Sequence, residues 1–383
     1  MERISDRMKT TRVLSIFGTR PEAIKMAPVV LALNENAGVE SRVCVTAQHR
    51  EMLDQVLQLF DIQPDVDLNL MRPNQNLSEL TAQILQSLDP ILTQEKPDWI
   101  LVQGDTTTVM AASLAAFYRG IHVGHVEAGL RTGDKHQPFP EELNRRIASV
   151  TADLHFAPTN LSRENLLREG IDERRILVTG NTAIDALKLI TAKPAPDLVS
   201  GWIKEWGITD GSKRLVLVTA HRRENFGEPI KQICLAIKQL AERYGESLEI
   251  VYPVHLNPNI QEPVKNILGG QNGVTLLPPL EYVALVHLMK AATLILTDSG
   301  GIQEEATGLG KPALVLRDKT ERPEGVTAGV LKLVGTEAPR IVAEASRLLD
   351  DRTAYETMAH AANPFGDGNA AQRIVKGILD FQP

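Results

Sequence analysis

The sequence is poor in cysteine, in aromatic side chains and in clustered positive charge. Its two cysteines, Cys44 and Cys234, are spaced for neither a zinc site nor a disulfide framework, and they suit a reducing compartment. Aromatic residues make up only 4% of the chain, which argues against a stacking platform for single-stranded nucleic acid. The net charge of −7 and the lack of a basic block argue against duplex binding. We therefore expect no nucleic-acid partner.

Signals for export and for membrane insertion are also missing. Residues 1–10, MERISDRMKT, are charged and have no apolar core of the kind found in a secretory signal. No stretch approaches the roughly 18 consecutive apolar residues that a spanning helix needs. We therefore expect a cytoplasmic protein that has no membrane partner.

Short apolar runs alternate with helical patterns along the whole chain. Trp99–Val102, Leu215–Val218 and Leu294–Leu296 are examples. Runs this apolar, separated by helices, predict parallel sheets that are covered on both faces. A chain of 383 residues also exceeds the length at which one core usually stops growing. The sequence therefore predicts an α/β fold with two Rossmann-like, doubly wound domains.

A change of composition marks the predicted domain boundary. Proline, glycine and polar residues concentrate in TAKPAPDLVSG, residues 191–201, and neither periodicity continues through them. We therefore predict domains at 1–190 and 200–365. The remaining segment, 366–383, is predicted to form a capped helix with an apolar stripe of Ile374, Val375, Ile378 and Leu379.

Residues that carry chemistry follow the predicted strands. The strings at these places are GTRPEAIK, QGDTTT, EAGLRTGDK, GNT, AHRREN, PVHLNP and TDSGGIQEE. Ligands of doubly wound domains bind outside the carboxyl ends of the strands. A crevice between two domains would bring both sets of residues together.

Two cofactor classes find no support in the sequence. GLGKPA at 308 and GDGNAA at 366 match the dinucleotide pattern, but neither follows a strand and opens a helix. No Walker A string occurs, and His122 and His125 are three residues apart in a strand-like run, so they would face opposite ways. We therefore expect neither a nicotinamide cofactor nor a metal.

The first half offers one anion-binding candidate and several carboxylates. Arg20 and Lys25 frame a helix N-terminus behind Pro21, which suits a diphosphate; the alternative is a capped helix with solvated charges. Asp105 is either an acid/base group or the N-cap of the next helix. Glu127, at the end of a strand in a glycine-rich loop, is either an acid/base group or part of a surface loop. Glu141 is joined by its neighbour Glu142 in the first turn of a helix, where favourable interaction with the helix dipole is the alternative to catalysis.

The second half offers a histidine and a nucleotide-binding pattern. His221 is suited to proton transfer near neutral pH, the alternative being a buried structural histidine, and His255 has a weaker case. Ser299, Gly300 and Gly301 stand at a helix mouth, where backbone N–H groups bind phosphate, and Glu305 lies one turn further on, where it would accept from a vicinal diol. Ribose with phosphate is one ligand that meets both demands. Arg322 follows the next strand and lies either beside this place or in a salt-bridged loop.

The ordered set of motifs closely resembles the non-hydrolysing UDP-N-acetylglucosamine 2-epimerases. The matching strings are GTRPEAIKMAP, TAQHREMLDQV, GDTTT, GHVEAGLRTG, PFPEELNRR, GNTAIDAL, TAHRRENFGEP, YPVHLNP, LTDSGGIQEEA, LGKP and RDKTERPEG. They run in order from about residue 11 to residue 375. The resemblance implies a glycosyltransferase-B type fold, a last helix that crosses back onto the first domain, and a homodimer.

The same resemblance implies a reaction and a set of site residues. The family interconverts UDP-GlcNAc and UDP-ManNAc by eliminating UDP to 2-acetamidoglucal and adding it again, with no metal or nicotinamide. By motif, the catalytic candidates are Asp105, Glu127, Glu141 and His221. The residues implied to hold UDP are Arg20, Lys25, Ser299, Gly300, Gly301, Glu305 and Arg322. Glu142 keeps the helix-dipole interpretation, and the residue that removes the C2 proton is left unassigned.

The sequence departs from the family pattern at an effector site that some relatives possess. Gln48, Glu51, Arg223 and His255 are the positions implied for that site. The motif QHRE has Glu51 where relatives have glutamine, and Asn74 stands where an arginine is expected. Effector activation is therefore left open.

Two further functions remain as alternatives. The first is an enzyme of the same fold that releases free ManNAc and UDP, or that passes the sugar to an acceptor. The second is a non-catalytic UDP-sugar-binding module, which would keep the UDP residues and lose the catalytic carboxylates.

Overall fold

The computed structural model describes residues 10–382 except 48–49, 71 and 73–74. The chain folds into two compact units. Unit 1 takes in the described residues of Met1–Ala186 and Gly366–Pro383, and unit 2 consists of Leu187–Phe365. Within the described residues, no helix combines the length and the apolar character needed to cross a bilayer.

Unit 1 is built on a seven-stranded parallel sheet. Its strands are β1 (Thr11–Phe17), β2 (Val39–Val45), β3 (Val66–Asp67), β4 (Trp99–Gln103), β5 (His122–Val126), β6 (Leu154–Ala157) and β7 (Ile176–Val178). Their order is β3-β2-β1-β4-β5-β6-β7, so the strand order reverses between β1 and β4. In such sheets this reversal is the place where ligands bind, beyond the carboxyl ends of the strands.

Helices connect these strands, and side-chain caps help to set where the helices begin. They are α1 (Arg20–Asn34), α2 (Arg50–Leu59), α3 (Leu77–Glu95), α4 (Thr107–Tyr118), α5 (Glu141–Thr151) and α6 (Asn160–Arg168). The next helix, α7 (Thr182–Ala192), follows β7 and continues past Leu187, where unit 2 begins. Thr19 and Glu22 form a reciprocal capping box at the start of α1, and Asn76 and Glu79 do the same for α3. Thr106 caps α4 by accepting from the Val109 N–H at 3.3 Å. The interpretation of Asp105 as the N-cap of this helix is therefore wrong.

Unit 2 repeats the architecture on a six-stranded parallel sheet. Its strands are β8 (Arg214–Thr219), β9 (Leu248–Pro253), β10 (Val274–Leu277), β11 (Leu294–Thr297), β12 (Ala313–Val315) and β13 (Leu331–Leu333), in the order β10-β9-β8-β11-β12-β13. Its helices are α8 (Asp197–Glu205), α9 (Glu228–Tyr244), α10 (Pro258–Leu268), α11 (Tyr282–Ala291), α12 (Gly300–Gly308), α13 (Pro323–Thr327), α14 (Ala338–Asp350) and α15 (Arg352–Ala359). Here the strand order reverses between β8 and β11. The prediction of two Rossmann-like α/β domains is confirmed.

The last helix, α16 (Ala370–Leu379), returns to unit 1 and packs against α1. Its predicted apolar stripe is buried at Ile374, Val375 and Ile378, whereas Leu379 is 40% exposed and lies outside the stripe. The Ala371 N–H donates to Asp185 at 2.9 Å and so ties the start of α16 to α7. Apolar burial together with this cap explains why the helix belongs to unit 1.

Candidate active site

In unit 1, Glu127 lies directly after β5, and its carboxylate is held by side-chain donors. It is only 8% exposed, so the interpretation as part of a surface loop is wrong. Its carboxylate accepts from Lys25 and Gln103, and from the Asn181 amide at 3.2 Å. Its backbone φ is 62°, in the left-handed region that residues other than glycine rarely adopt. Outliers of this kind concentrate at functional sites.

The N-terminus of α1 is closed by a carboxylate of its own. Glu22 is 2% exposed and accepts from the backbone N–H groups of Gly18 at 3.1 Å and Thr19 at 2.7 Å. The Thr106 hydroxyl donates to its other oxygen at 2.7 Å. Burial raises the pKa of Glu22, and these hydrogen bonds oppose the rise.

The structure corrects the interpretation of GTRPEAIK on two points. Thr19 caps the helix, and Glu22 occupies the N–H groups of Gly18 and Thr19, so these backbone groups are not available to an anion. Lys25 is not a solvated charge, because its ammonium pairs with Glu127. Arg20, half-buried at the first position of α1, keeps its place as a candidate for phosphate binding.

Asp105 and Glu141 differ in the donors available to them. Asp105 pairs with Arg145 of α5, and the Asn144 amide donates to the Asp105 backbone carbonyl at 3.0 Å. Glu141, at the first position of α5, has a buried carboxylate oxygen with no hydrogen-bond donor among the described residues. A buried oxygen with no partner is rare and calls for a functional explanation. It can accept a proton without giving up an existing bond.

Glu142 has a structural task in the same first turn. It is fully buried and accepts from the backbone N–H groups of Thr132 at 3.1 Å and Gly133 at 3.2 Å. Arg145 and Arg146 lie within 3.3 Å of its oxygens. These contacts join the loop after β5 to α5, which agrees with a role at the helix N-terminus rather than in catalysis.

In unit 2, His221 and Asp298 meet at the ends of the neighbouring strands β8 and β11. Asp298 is fully buried and accepts from the backbone N–H groups of His221 and Arg222, each at 2.8 Å, and from Asn225 at 2.9 Å. Its other oxygen has no donor among the described residues and lies 3.7 Å from Nδ1 of His221. The His221 side chain is 42% exposed, so the interpretation as a buried structural histidine is wrong.

The protonation of His221 is set by competing neighbours. Partial burial lowers its pKa below the usual value; Asp298 opposes that change, while His255 and Arg222 add to it. The rings of His221 and His255 are stacked, with centroids 5.6 Å apart. Arg223 is exposed after β8. Of the remaining effector positions, Gln48 and Asn74 lie outside the described residues, as does the side chain of Glu51.

The N-terminus of α12 matches the predicted phosphate site in part. The Ser299 N–H is occupied, since it donates to the Thr297 hydroxyl at 3.0 Å. The first N–H groups of a helix have no partner within the helix, and here they belong to Gly300 and Gly301. A Cβ on Gly301 would meet nothing within 4 Å, so the approach to this turn is open. The Ser299 backbone N–H is therefore not available to a phosphate.

The two carboxylates of α12 are both engaged by side chains. Glu304 is 2% exposed and pairs with Arg322, so the salt-bridge interpretation of Arg322 applies. Glu305 accepts from the Tyr282 hydroxyl at 2.8 Å. Glu304 is thereby paired with a cation about one turn from the N-terminus of the helix.

Comparison with known proteins places the chain in a family. The family model for UDP-N-acetylglucosamine 2-epimerase matches residues 31–379. A UDP-N-acetylglucosamine 2-epimerase of Yersinia pestis is 57% identical to this chain. The match covers 97% of this chain and 99% of the Yersinia protein. The chain belongs to the UDP-N-acetylglucosamine 2-epimerase family.

Solved structures of this epimerase family have the same fold as the chain. One is the UDP-GlcNAc 2-epimerase of Neisseria meningitidis bound to UDP-GlcNAc, with a TM-score of 0.87, 51% identity, and coverage of 97% of this chain and 100% of that one. Another is S. aureus MnaA in a co-structure with UDP, with a TM-score of 0.83, 48% identity and 96% coverage of both chains.

Several residues that shape the site of this epimerase family member were not among the predicted ones. They are Glu22, Gln103, Arg145 and Asn181 in unit 1, and Arg222, Tyr282 and Asp298 in unit 2. Gln103 and Asn181 stand in QGDTTT and GNT, two strings that follow strands, and Asp298 stands in TDSGG. Their position after a strand was the available signal, but residue type alone did not reveal their partners.

Proposed function

We propose that this protein interconverts UDP-N-acetylglucosamine and UDP-N-acetylmannosamine without net hydrolysis. The proposal rests on the carboxylates beyond β4 and β5 of unit 1. Glu127 is held by donors, and Glu141 has a buried oxygen that accepts no hydrogen bond from any described residue. Family membership and the UDP-GlcNAc and UDP named in the Neisseria and S. aureus structures support the choice of substrate.

The proposed route is an elimination followed by its reversal from the other face. A base removes the C2 proton, the C–H electron pair forms the C1–C2 double bond, and the C1–O bond breaks to release UDP. A proton then adds to the opposite face of C2, and a phosphate oxygen of UDP adds to C1. Each half reverses the bond changes of the other, so the route is redox-neutral and balances without a hydride carrier.

The acid and base roles belong to Asp105, Glu127, Glu141 and His221. C2 is not adjacent to a carbonyl, so its proton is weakly acidic, and several positioned groups are needed. The free oxygen of Glu141 is open to a proton, whereas the oxygens of Glu127 are held by donors and suit a fixed acceptor. A lowered pKa keeps the His221 imidazole neutral at pH 7, so it can accept a proton from the sugar.

UDP is assigned to the N-terminus of α12 and to cations. Gly300, Gly301 and the Ser299 hydroxyl would donate to phosphate, and Glu305 would accept from the ribose diol beside Tyr282. Arg20, Lys25 and Arg322 complete the proposed set. An ammonium has three donors, so Lys25 can keep its bond to Glu127 and still donate to an oxygen of the ligand.

The deciding experiment is proton NMR of UDP-GlcNAc with the protein in heavy water. Loss of the C2 proton signal, together with UDP-ManNAc and little free UDP, is the expected result. Free ManNAc appearing in step with UDP would replace the proposal with the hydrolysing reaction. Binding of UDP-GlcNAc with an unchanged C2 proton would replace it with a binding module or a transferase.

The proposal also includes a cytoplasmic homodimer. The family resemblance supports it, and so does an exposed aromatic pair at the end of α4, where Phe117 is 61% and Tyr118 is 71% exposed. Large exposed apolar side chains that are grouped mark interaction surfaces.

A further inference from the structure

The conformation of Glu127 needs support from its surroundings. A residue other than glycine in the left-handed region costs roughly 1–3 kcal/mol and persists only where neighbouring groups over-determine it. Glu127 has this conformation at the end of β5 and is almost fully buried. A buried carboxylate also needs donors to remain charged. The groups that supply the donors therefore control both its position and its charge.

Asn181 is oriented so that it can only donate to Glu127. It is 2% exposed, and its side-chain oxygen accepts from the Ala183 N–H at 3.0 Å. That bond identifies the oxygen, so the amide nitrogen is the atom that lies 3.2 Å from Oε1 of Glu127. The amide is thus fixed by the start of α7.

Gln103 supplies a donor to the other carboxylate oxygen of Glu127. It is the last residue of β4 and is 3% exposed, and its amide nitrogen donates to Oε2 of Glu127. β4 and β5 are neighbouring strands, with Gln103 paired in register with Val126, the residue before Glu127. The donor is therefore carried by the rigid centre of the sheet.

The last segment of the chain supports the turn that carries Asn181. A Cβ on Gly366 would lie 3.2 Å from the Gly180 Cα and 3.3 Å from the Asn181 N, so the two backbones are in close contact. The Arg373 guanidinium donates to the Thr179 carbonyl at 2.9 Å. The return of the chain to unit 1 at Gly366 thus holds residues 179–181 in place.

We propose that Gln103 and Asn181 are positioning residues that keep Glu127 ionised and fixed in orientation for the C2 reaction. They act through the oxygens of Glu127 that they contact. The inference rests on the proposed function for its catalytic consequence, whereas the effect on the charge of Glu127 can be measured without turnover.

The principal test is Asn181→Asp, which keeps the shape and the acceptor for Ala183 but replaces the donor with a second carboxylate. Two carboxylates in contact cannot both ionise easily, so Glu127 takes up a proton at higher pH in the variant. We expect kcat to fall at least about tenfold with KM within about threefold, and the acid limb of the pH profile to rise by about one unit.

The matched control is Asn36→Asp. The Asn36 side-chain oxygen accepts from the Gly38 N–H at 2.9 Å, just before β2 begins, whereas Glu127 lies beyond the carboxyl end of β5 in the same parallel sheet. This variant is expected to keep the wild-type pH profile. Gln103→Glu is a second test, because it replaces the donor on β4 with a carboxylate. It takes the place of Asn181→Asp if that variant fails to fold.

The charge of Glu127 is followed directly by carbon NMR of protein labelled at the glutamate carboxyl groups. The signal is assigned by its loss in Glu127→Gln. A titration midpoint that moves to higher pH in Asn181→Asp or Gln103→Glu, and not in Asn36→Asp, supports the proposal even if wild-type protein does not exchange the C2 proton. An unchanged midpoint in a folded variant overturns it, even if wild-type protein epimerises UDP-GlcNAc.

Discussion

At the scale of single residues, the carboxylates of unit 1 are distinguished by their donors. Glu127 is bound by Lys25, Gln103 and Asn181, and Asp105 is paired with Arg145. Only Glu141 of the predicted catalytic carboxylates has a buried oxygen that no described residue occupies. All three groups are carboxylates. We therefore expect their different surroundings to give them different roles in the proposed reaction.

Adjacent glutamates in α5 give a matched pair of variants. Glu141→Gln is expected to lower the rate of C2 proton exchange about 10²- to 10⁴-fold, because the variant loses a proton acceptor. The Kd for UDP is expected to stay within about threefold, because the variant loses no proposed contact with UDP. Glu142→Gln is expected to lower unfolding free energy by about 1–3 kcal/mol, because it weakens buried charge-assisted hydrogen bonds. Deuterium exchange and thermal melting measure the two effects. If both variants were equally stable and lost C2 proton exchange equally, the catalytic role of Glu141 and the structural role of Glu142 would be contradicted.

The protonation of His221 should move in opposite directions in two variants. Asp298 raises its pKa, so Asp298→Asn is expected to lower that pKa further; His255 lowers it, so His255→Gln is expected to raise it. Imidazole is neutral above its pKa, so the acid limb of activity follows the same directions. Nitrogen NMR of the histidine ring measures the shift. Asp350→Asn, at an exposed carboxylate of α14, is the control. If the pKa of His221 moved in the same direction in Asp298→Asn and His255→Gln, the opposing effects of these two neighbours would be excluded.

At the scale of elements, β5 and β6 place two histidines opposite one another in the core. His125 is in register with His155, and both are buried. Burial lowers the pKa of His125 to about 4 and that of His155 to about 3. Neither nitrogen of His155 has a hydrogen-bond partner among the described residues. The folded state therefore keeps both rings neutral well below pH 6.

This pair predicts a specific acid sensitivity. The unfolded chain binds these protons near pH 6.5 and the folded chain only near pH 3–4, so stability rises with pH across that window and is lost as pH falls through it. Each histidine contributes up to about 1.4 kcal/mol per pH unit. His155→Leu should flatten the dependence of Tm on pH between 4 and 6.5, and His360→Leu, at an exposed histidine, should not. An unchanged slope for His155→Leu would disprove the assignment.

Element positions were predictable where periodicity was strong. The apolar runs at Trp99–Val102, Leu215–Val218 and Leu294–Leu296 all became central strands. The edge strands β3 and β13 were not predicted, because neither contains an apolar run: β3 is only two residues long, and Lys332 interrupts β13. For the cap of α4, the sequence left Asp105 open as an alternative, and the structure has Thr106. Asp105 and Thr106 are both good capping residues, and the ion pair of Asp105 with Arg145, absent from the local sequence, decided between them.

At the scale of the whole molecule, we expect light scattering to give twice the chain mass of 42.1 kDa. Phe117→Ser should weaken the dimer, because truncating an exposed aromatic anchor removes buried apolar area at an interface. Leu198→Ser, at an exposed leucine of α8, should leave the mass unchanged. A monomeric wild-type protein would refute the dimer, and equal effects of the two substitutions would move the interface away from α4.

The class of fold, the family and the strand-end location of the functional residues followed from the sequence, because periodicity and motif order are properties of neighbouring residues. The pairing of donors with carboxylates did not. Gln103, Asn181 and Lys25 lie 24, 54 and 102 residues from Glu127 along the chain. Only the parallel sheet, which aligns the carboxyl ends of strands distant in sequence, brings them to one carboxylate. The tertiary structure alone decided which glutamate is held by donors and which oxygen is left open to a proton.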